Sequence, residues 1–552
     1  MKKKVGVLVD SHSIPKYVLD TINYANKSDI YEVTTLIIND DKKSKFLNST
    51  LDYVKKKGIK RLISAALFRF MCHLESLFSQ SNSILLNADN IREVAQQDFN
   101  RVYVSPEISS NGLIYRYSKL DIDLISSEGL DLLIRAGSGI LRGEILEACP
   151  EGVISFHHGD NSINRGGPPG FWEVYEEHPR TGFVIQRLTS ELDGGDILYK
   201  GYITTCWYYN LNLFKLYEIS TPFLHSTIER IFSESLGSRN FEKVPYSNRL
   251  YVTPSLSQIV YYCWKTSKRL AFKALRKASR RSYRWGVAFQ FSEGWRDIVL
   301  WRSVRIPNPP GRFLADPFVI KRNGNHYCFV EDYSYETGKG RISVCVIGRD
   351  GVEGLDVAVE EDFHLSYPFI FTYGDELYMC PETHEKGDIR LYKSVEFPYK
   401  WVYLKTIVSD IRAVDTNIFE KDGRWWLFTN VDQGAVDDFA SQLHIFHSDS
   451  PVSDNWIPHE HNPVVCDPLK ARNGGLILDR ENIYRGYQRQ GFDMYGEAVG
   501  ITLITRLTPT EYQEEPIFEV EPNFFEGIKG THTINYQEGL LVLDYVEVAG
   551  KK

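Results

Sequence analysis

The first half of the chain alternates short apolar runs with stretches of helical spacing. VGVLVD (5–10) is an apolar run rich in β-branched residues; TTLIIND (34–40), GLDLLIRAG (129–137) and GVISFHH (152–158) repeat the pattern. Residues 15–26 carry helical periodicity between the first two runs, and GILRGEILEACPE (139–151) reads as a short helix between the last two. Strands joined by helical crossovers predict a largely parallel α/β sheet. Ligands of such sheets bind beyond the carboxyl ends of the strands. Arg135, His157 and His158 fall at such ends. VGVLVDSHS carries no GxGxxG, so a dinucleotide fingerprint is absent.

The second half repeats itself. DPFVIKRNGNHYCFVED (316–332), YPFIFTYGDELYMCPET (367–383), DTNIFEKDGRWWLFTNV (415–431), RNGGLILDRENIYRGYQ (472–488) and THTINYQEGLLVLDYVE (531–547) align without gaps. Each holds an apolar strand, a polar turn and an aromatic-rich strand. Paired strands recurring at this period predict a propeller, and five windows predict five blades. The last blade is cut short by the C-terminus, and DIVLWRSV (297–304) is expected to complete it. A β-sandwich, the rival arrangement, does not give so regular a repeat. The expected organisation is an α/β domain over 1–245, a basic helical linker over 246–296 and an all-β propeller over 297–552.

The linker contains WKTSKRLAFKALRKASRRSYRW (264–285), with nine Lys or Arg and no acid. One reading is a basic amphipathic helix that touches an anionic membrane surface. The other is a solvated connector that packs on its own domains. A second basic-aromatic helix is expected over IKRLISAALFRFMCHLESLF (59–78).

Composition narrows the function. Of 552 residues, 43% are hydrophobic and 25% charged, an ordinary globular balance. The net charge of -8 argues against a general nucleic-acid binder. MKKKVGVLVDSH enters a strand without a signal-peptide apolar region, and no apolar run reaches the ~20 residues of a membrane span. A cytoplasmic protein is expected, with possible peripheral contact at the inner membrane face through 264–285. The eight cysteines form no CxxC pair, so reduced thiols are expected and no metal site.

The candidate chemistry centres on FHHGDNSINRGGPPGFWEV (156–174), too rich in Gly and Pro for a helix interior. Together with TGFVIQRLTSELDGGDIL (181–198), it resembles the catalytic domain of folate-dependent formyltransferases, a Rossmann-like fold, over roughly residues 1–240. The family pattern is Asn-x-His on a strand, a Pro-rich loop, then a TG-led strand ending in Leu-Asp-x-Gly. The resemblance places its histidine at His157 and its aspartate at Asp193; its asparagine falls at Ser155, a departure. It implies that the loop from Arg135 through Gly137 to Gly139 binds the pteridine of N10-formyltetrahydrofolate. His158, Asp160, Arg165 and Trp172 are further candidates for substrate or cofactor contact. Structural readings stand beside them: an Asx turn at Asp160, core packing for Phe171 and Trp172. A formyl transfer passes through an oxyanion and a cationic nitrogen. A histidine beside a carboxylate can move the proton, and a donor near the oxyanion typically contributes ~10²–10³ in rate.

The propeller sequence FLADPFVI is similar to that of arabinanase-type glycosidases. The longer set ADPF…FVED…GRISV…HLSYPFIF…DELYMCPE…DTNIF…GRWWLF looks closer to the N-terminal propeller of glucosamine inositolphosphorylceramide transferases. First residues of inner strands converge on a propeller axis. Asp316, Asp415, Arg472 and His532 are therefore pocket candidates, with Glu331 and Glu382 later in their blades. Together the halves imply an N-formyltransferase acting on a nucleotide- or lipid-linked amino sugar of a surface polysaccharide, with the propeller holding the glycan. The alternative is glycosidase or glycosyltransferase chemistry in the propeller beside a degenerate formyltransferase-like domain.

Overall fold

The computed structural model describes residues 1–10, 16–39, 59–78, 99–109, 112–137, 139–190, 195–233, 246–279, 281–434 and 436–550. The chain divides into two compact units, Met1–Ser267 and Lys268–Lys552. The division falls inside the helix Leu256–Ala278.

The first unit is built on a seven-stranded sheet. Its strands are β1 (Lys3–Asp10), β2 (Tyr31–Asn39), β3 (Asn100–Val104), β6 (Leu132–Arg135), β8 (Val153–His157), β9 (Arg180–Arg187) and β10 (Asp196–Thr204). The order is β10-β9-β8-β6-β1-β2-β3. β8, β6, β1, β2 and β3 run parallel, and β9 and β10 are antiparallel. The central strands are apolar on both faces: Val5, Val7, Leu132, Leu133, Val153 and Ile154 are all buried. That is the signature of a sheet covered by helices on each side. Lys119–Ser127 starts on a capping box, in which Ser118 and Asp121 satisfy each other's backbone N–H groups.

GILRGEILEACPE is not a helix. Ile140–Arg142 is a strand, β7, in a small sheet with β4 (Glu107–Ile108) and β5 (Ile114–Arg116), followed by a 3-10 turn at Glu144–Glu147. Gly143, at φ 87°, breaks the helical continuity that the apolar spacing suggested.

The second unit is a five-bladed propeller. Four blades are antiparallel meanders: Arg312–Val359, Ser366–Ser409, Ala413–Pro458 and Asn473–Val520. The fifth takes Ile534–Gln537 and Leu540–Gly550 from the C-terminus and Arg281–Phe291 and Val304–Ile306 from the start of the unit. The closing strand is therefore RSYRWGVAFQF, paired along its whole length from Arg281↔Gly550 to Phe291↔Leu540. It is not DIVLWRSV, which holds a 3-10 turn at Leu300–Arg302. The basic residues made 281–291 read as linker, yet Val287 and Phe289 pack in one interblade core and Ala288 in the next. Burial on both faces is what commits the segment to the sheet.

The inner strands share one irregularity. Pairing slips between Ala315 and Phe318, Ser366 and Phe369, Val414 and Asn417, and Asn473 and Leu476. Asp316, Tyr367 and Asp415 take left-handed φ values of 49°, 45° and 51°, and Gly475 takes 114°. Such bulges re-aim side chains, and left-handed non-glycine residues persist where the surroundings hold them.

Candidate functional site

Two polar groups merit description, each within its own unit. The first lies at the carboxyl edge of the parallel sheet. Arg135 at the end of β6 is in register with Ser155 on β8 and Leu8 on β1. Its Nη1 donates to Ser155 Oγ at 3.2 Å, and its guanidinium also donates to the Gly139 carbonyl. Burial lowers the Arg135 pKa, while nearby Tyr17 and Asp10 oppose that shift. Asp10 ends β1 and accepts from Asn39 Nδ2 at 3.1 Å; Tyr117 in turn donates to Asn39 at 2.8 Å. Gly137 lies against Asp10, whose carboxylate oxygen would be 2.8 Å from a Cβ there. The His157 Nε2 sits 2.7 Å from the Asn164 carbonyl, so that nitrogen carries the proton and donates. Asn164 Nδ2 also reaches Glu173 Oε1 at 3.5 Å, and burial pushes the Glu173 carboxyl up to about 7.

Several sequence candidates have other tasks. The His158 ring lies against Phe156 and Tyr217, with centroids 4.6 and 4.3 Å away. Desolvation there pushes its pKa down to about 3, so it is a neutral member of an aromatic stack rather than a cationic donor. Asp160 is not left open for a ligand. It accepts from Lys200 at 2.6 Å, Tyr202 at 2.8 Å and the Ser162 amide at 2.9 Å, the last an Asx turn. Gly182 of the TG-led strand permits this packing, since a Cβ there would lie 2.8 Å from the Asp160 nitrogen. Arg165 donates to the Asn161 carbonyl and stacks over Tyr246, so it ties down its own loop. Trp172 and Phe171 are core: both are buried, and Trp172 Nε1 donates to Gly167 O at 3.1 Å. Asp193 lies outside the described residues.

The second group lies at the propeller axis, where the left-handed residues deliver Asp316 and Asp415. Asp415 accepts from Arg472 Nε at 2.6 Å and Gln488 Nε2 at 2.9 Å. Asp316 accepts from Thr533 Oγ1 at 2.8 Å and lies 3.4 Å from His532 Nε2. His532 Nδ1 is 2.6 Å from Asp544, whose other oxygen accepts the His532 and Thr533 amides. The His532 ring stacks on Trp285 with centroids 4.0 Å apart, and Arg472 sits over Tyr495. Glu382 accepts from His384 Nδ1 at 2.7 Å, and Glu331 lies 3.6 Å from His364. Ligand atoms of Asp316, His532 and Asp544 all lie within 4.8 Å of one another, a spacing that could hold a cation.

The electrostatics separate these acids. Burial, then the charges of Asp316, Glu382, Asp544 and Asp415, push Glu331 well above the carboxylate range. Burial pushes Asp415 up to about 7 against the pull of Arg472. Burial would also raise Glu382, yet the bond from His384 and the charge of Arg472 hold it below its ordinary value. For His532 burial opposes the charged form, and Asp544 and Asp316 outweigh it. Burial raises Asp316 as well, against the pull of His532, so a neutral Glu331 stands beside an ionised Glu382, a division that acid–base chemistry requires.

All six axial candidates enter this network. Sequence reasoning missed Gln488, Asp544, His364, His384 and Tyr495. Position within the repeat marked only Glu331 and Glu382, already candidates, which the inner-strand slip pairs with Ala315 and Ser366. Asp544 carries no such positional cue.

Residues 294–540 match the family model described as glucosamine inositolphosphorylceramide transferase 1, N-terminal. Over 214 residues the chain is 36% identical to glucosamine inositolphosphorylceramide transferase 1 of Oryza sativa subsp. japonica. That match covers 38% of this chain and 28% of the relative, so the chain spans under a third of the relative's length. Among solved structures it is similar to glycinamide ribonucleotide transformylase 1 from Symbiobacterium toebii. The identity is 13% and the TM-score 0.28, covering 43% of this chain and 88% of that one. It is also similar to the catalytic domain of the Coprinopsis cinerea GH62 alpha-L-arabinofuranosidase. There the identity is 12% and the TM-score 0.32, covering 49% of this chain and 98% of that one. Residues 294–540 of the C-terminal unit are thus similar to the N-terminal part of glucosamine inositolphosphorylceramide transferase 1, in line with the resemblance of the ADPF and FVED motifs.

Proposed function

We propose that this chain is a carbohydrate-active transferase whose sugar site is the propeller axis. The observation that supports this reading is the convergence of Asp316, Glu331, Glu382, Asp415, Arg472 and His532 on one buried network with divided protonation. Displacement at an anomeric carbon develops positive charge on the sugar ring, needs a proton for the leaving oxygen, and needs a base for the incoming hydroxyl. Glu331, held neutral, is the proton donor. Asp415, oriented by Arg472 and Gln488, faces the developing charge. Asp316, paired with His532, receives the proton of the acceptor hydroxyl. The relatives are named for glucosamine, and an amino sugar is the substrate class we infer.

A second reading keeps the chemistry in the first unit: formyl transfer from N10-formyltetrahydrofolate to that amino group, with His157 moving the proton and Asp193 orienting it. The favouring observation is Arg135. Its buried Nε has no hydrogen-bond partner among the described residues, and its Nη1 is held at Ser155, where the family has asparagine. A guanidinium there could stabilise an oxyanion in place of the missing amide.

One experiment separates the two. The full chain is incubated with nucleotide-activated glucosamine and an inositolphosphorylceramide acceptor, the class named in its relatives, with and without N10-formyltetrahydrofolate, and products are read by mass spectrometry. The axial reading expects Asp415→Asn and Glu331→Gln each to lower turnover about 100-fold or more, with His157→Ala near wild type. Loss in His157→Ala alone, with a formyl group gained by the sugar only when the folate is present, would replace it with the second reading.

A further inference from the structure

Two helices, Ile59–Phe78 of the first unit and Leu256–Ala278, within which the two units divide, carry apolar surface left exposed among the described residues. Ile59–Phe78 buries Ser64 and Met71 on one face. On the opposite face Ile59, Ile63, Leu67, Phe70, Leu74 and Leu77, at intervals of three and four, are all exposed. A helix that is apolar on two faces has a second apolar environment to meet. The helix Leu256–Ala278 repeats the design. Ile259 and Tyr262 are buried, and Leu256, Val260, Trp264 and Leu275 form an exposed stripe. Within the first unit the two helices are tied together, as Tyr262 donates to Glu75 at 2.5 Å.

The charge decides the occupant. Leu256–Ala278 contains six Lys or Arg and no acid, in a chain of net charge -8. Lys268 and Lys277 are exposed beside the stripe, and Lys60, Arg61 and Arg69 are exposed on the other helix. Among the described residues no helix is long and apolar enough to cross a membrane. We infer that these helices seat the protein on the surface of an anionic lipid bilayer, with the aromatic and aliphatic stripe in the headgroup region and the cations on lipid phosphates. A protein partner would need matching acidic and apolar surfaces; a bilayer of anionic lipid offers both without further specificity. The inference is independent of which site carries the chemistry.

The test is sedimentation of the full chain with vesicles of phosphatidylcholine alone and with about a third phosphatidylserine, at about 0.1 M salt. The anionic vesicles are expected to bind roughly tenfold or more tightly, with binding weakening as salt rises. Each surface cation contributes roughly fivefold, so Lys268→Glu with Lys277→Glu lowers partition at least about tenfold. Trp264→Glu with Leu275→Glu, and separately Phe70→Glu with Leu74→Glu, lower it comparably at an unchanged melting temperature. No binding to anionic vesicles, or equal binding to both compositions, overturns the inference. So does a wild-type dimer that these changes dissociate while vesicle binding stays constant. Should a variant fail to fold, the wild-type composition and salt series decides alone.

Discussion

Glu173 shows how a single buried acid couples this fold to pH. The residue is 5% exposed, its Oε2 has no partner among the described residues, and its pKa rises from 4.5 to about 7. The folded state therefore binds its proton more tightly than the unfolded chain does. Stability from this group is fully present below about pH 4.5 and is lost as pH rises through about 7, at most about 3 kcal/mol. Glu173→Gln is expected to leave urea midpoints similar at pH 4.5 and raise that of the variant above wild type at pH 7.5. At the axis, burial pushes Asp415 up to about 7; under the axial reading proposed above, sugar turnover should climb through neutrality and Asp415→Asn should flatten that limb. Tyr367 supplies a neutral counterpart. Its hydroxyl donates to Asn417 and accepts the Gly475 amide at 2.8 Å. Tyr367→Phe strands both partners in the interior and should cost about 1–3 kcal/mol in urea unfolding.

At the scale of elements, the decisive segment is Arg281–Phe291. It pairs with Leu540–Gly550 inside the fifth blade and thereby closes the ring. Without it, Leu540–Gly550 would expose a long unpaired edge and two interblade cores would open. A fragment beginning at residue 297 is expected to aggregate or melt without a cooperative transition, whereas one beginning at residue 268 should melt cooperatively in calorimetry. The bulged inner strands act at the same scale. They deliver Asp316 and Asp415 to the axis from segments that otherwise read as ordinary apolar strands.

For the whole molecule, two compact units contain chemically distinct polar centres. The sheet-edge group of the first unit centres on the Arg135 guanidinium with Ser155 and Asp10; the axial group of the second is mostly carboxylates with paired cations. Substitutions in one unit should therefore leave the thermal transition of the other in place, and two resolved calorimetric transitions would show it. Turnover assays of His157 and Asp415 variants then report which centre carries the chemistry, free of a common loss of fold.

The amino-acid order by itself determined the parallel strands, the five repeats and the axial candidates Asp316, Asp415, Arg472 and His532. These follow from local periodicity, and a repeat places equivalent residues at equivalent radii. Tertiary structure alone decided the rest. His158, Asp160 and Trp172 share a motif with His157, yet packing assigns them to a ring stack, an ion pair and the core. Arg281–Phe291 reads as linker because its partner strand lies some 250 residues further along the chain. Asp544 and Gln488 gained their roles from contacts that no local pattern encodes. Burial and partner choice are properties of the folded surroundings, and they set the pKa differences that turn a cluster of acids into a candidate site.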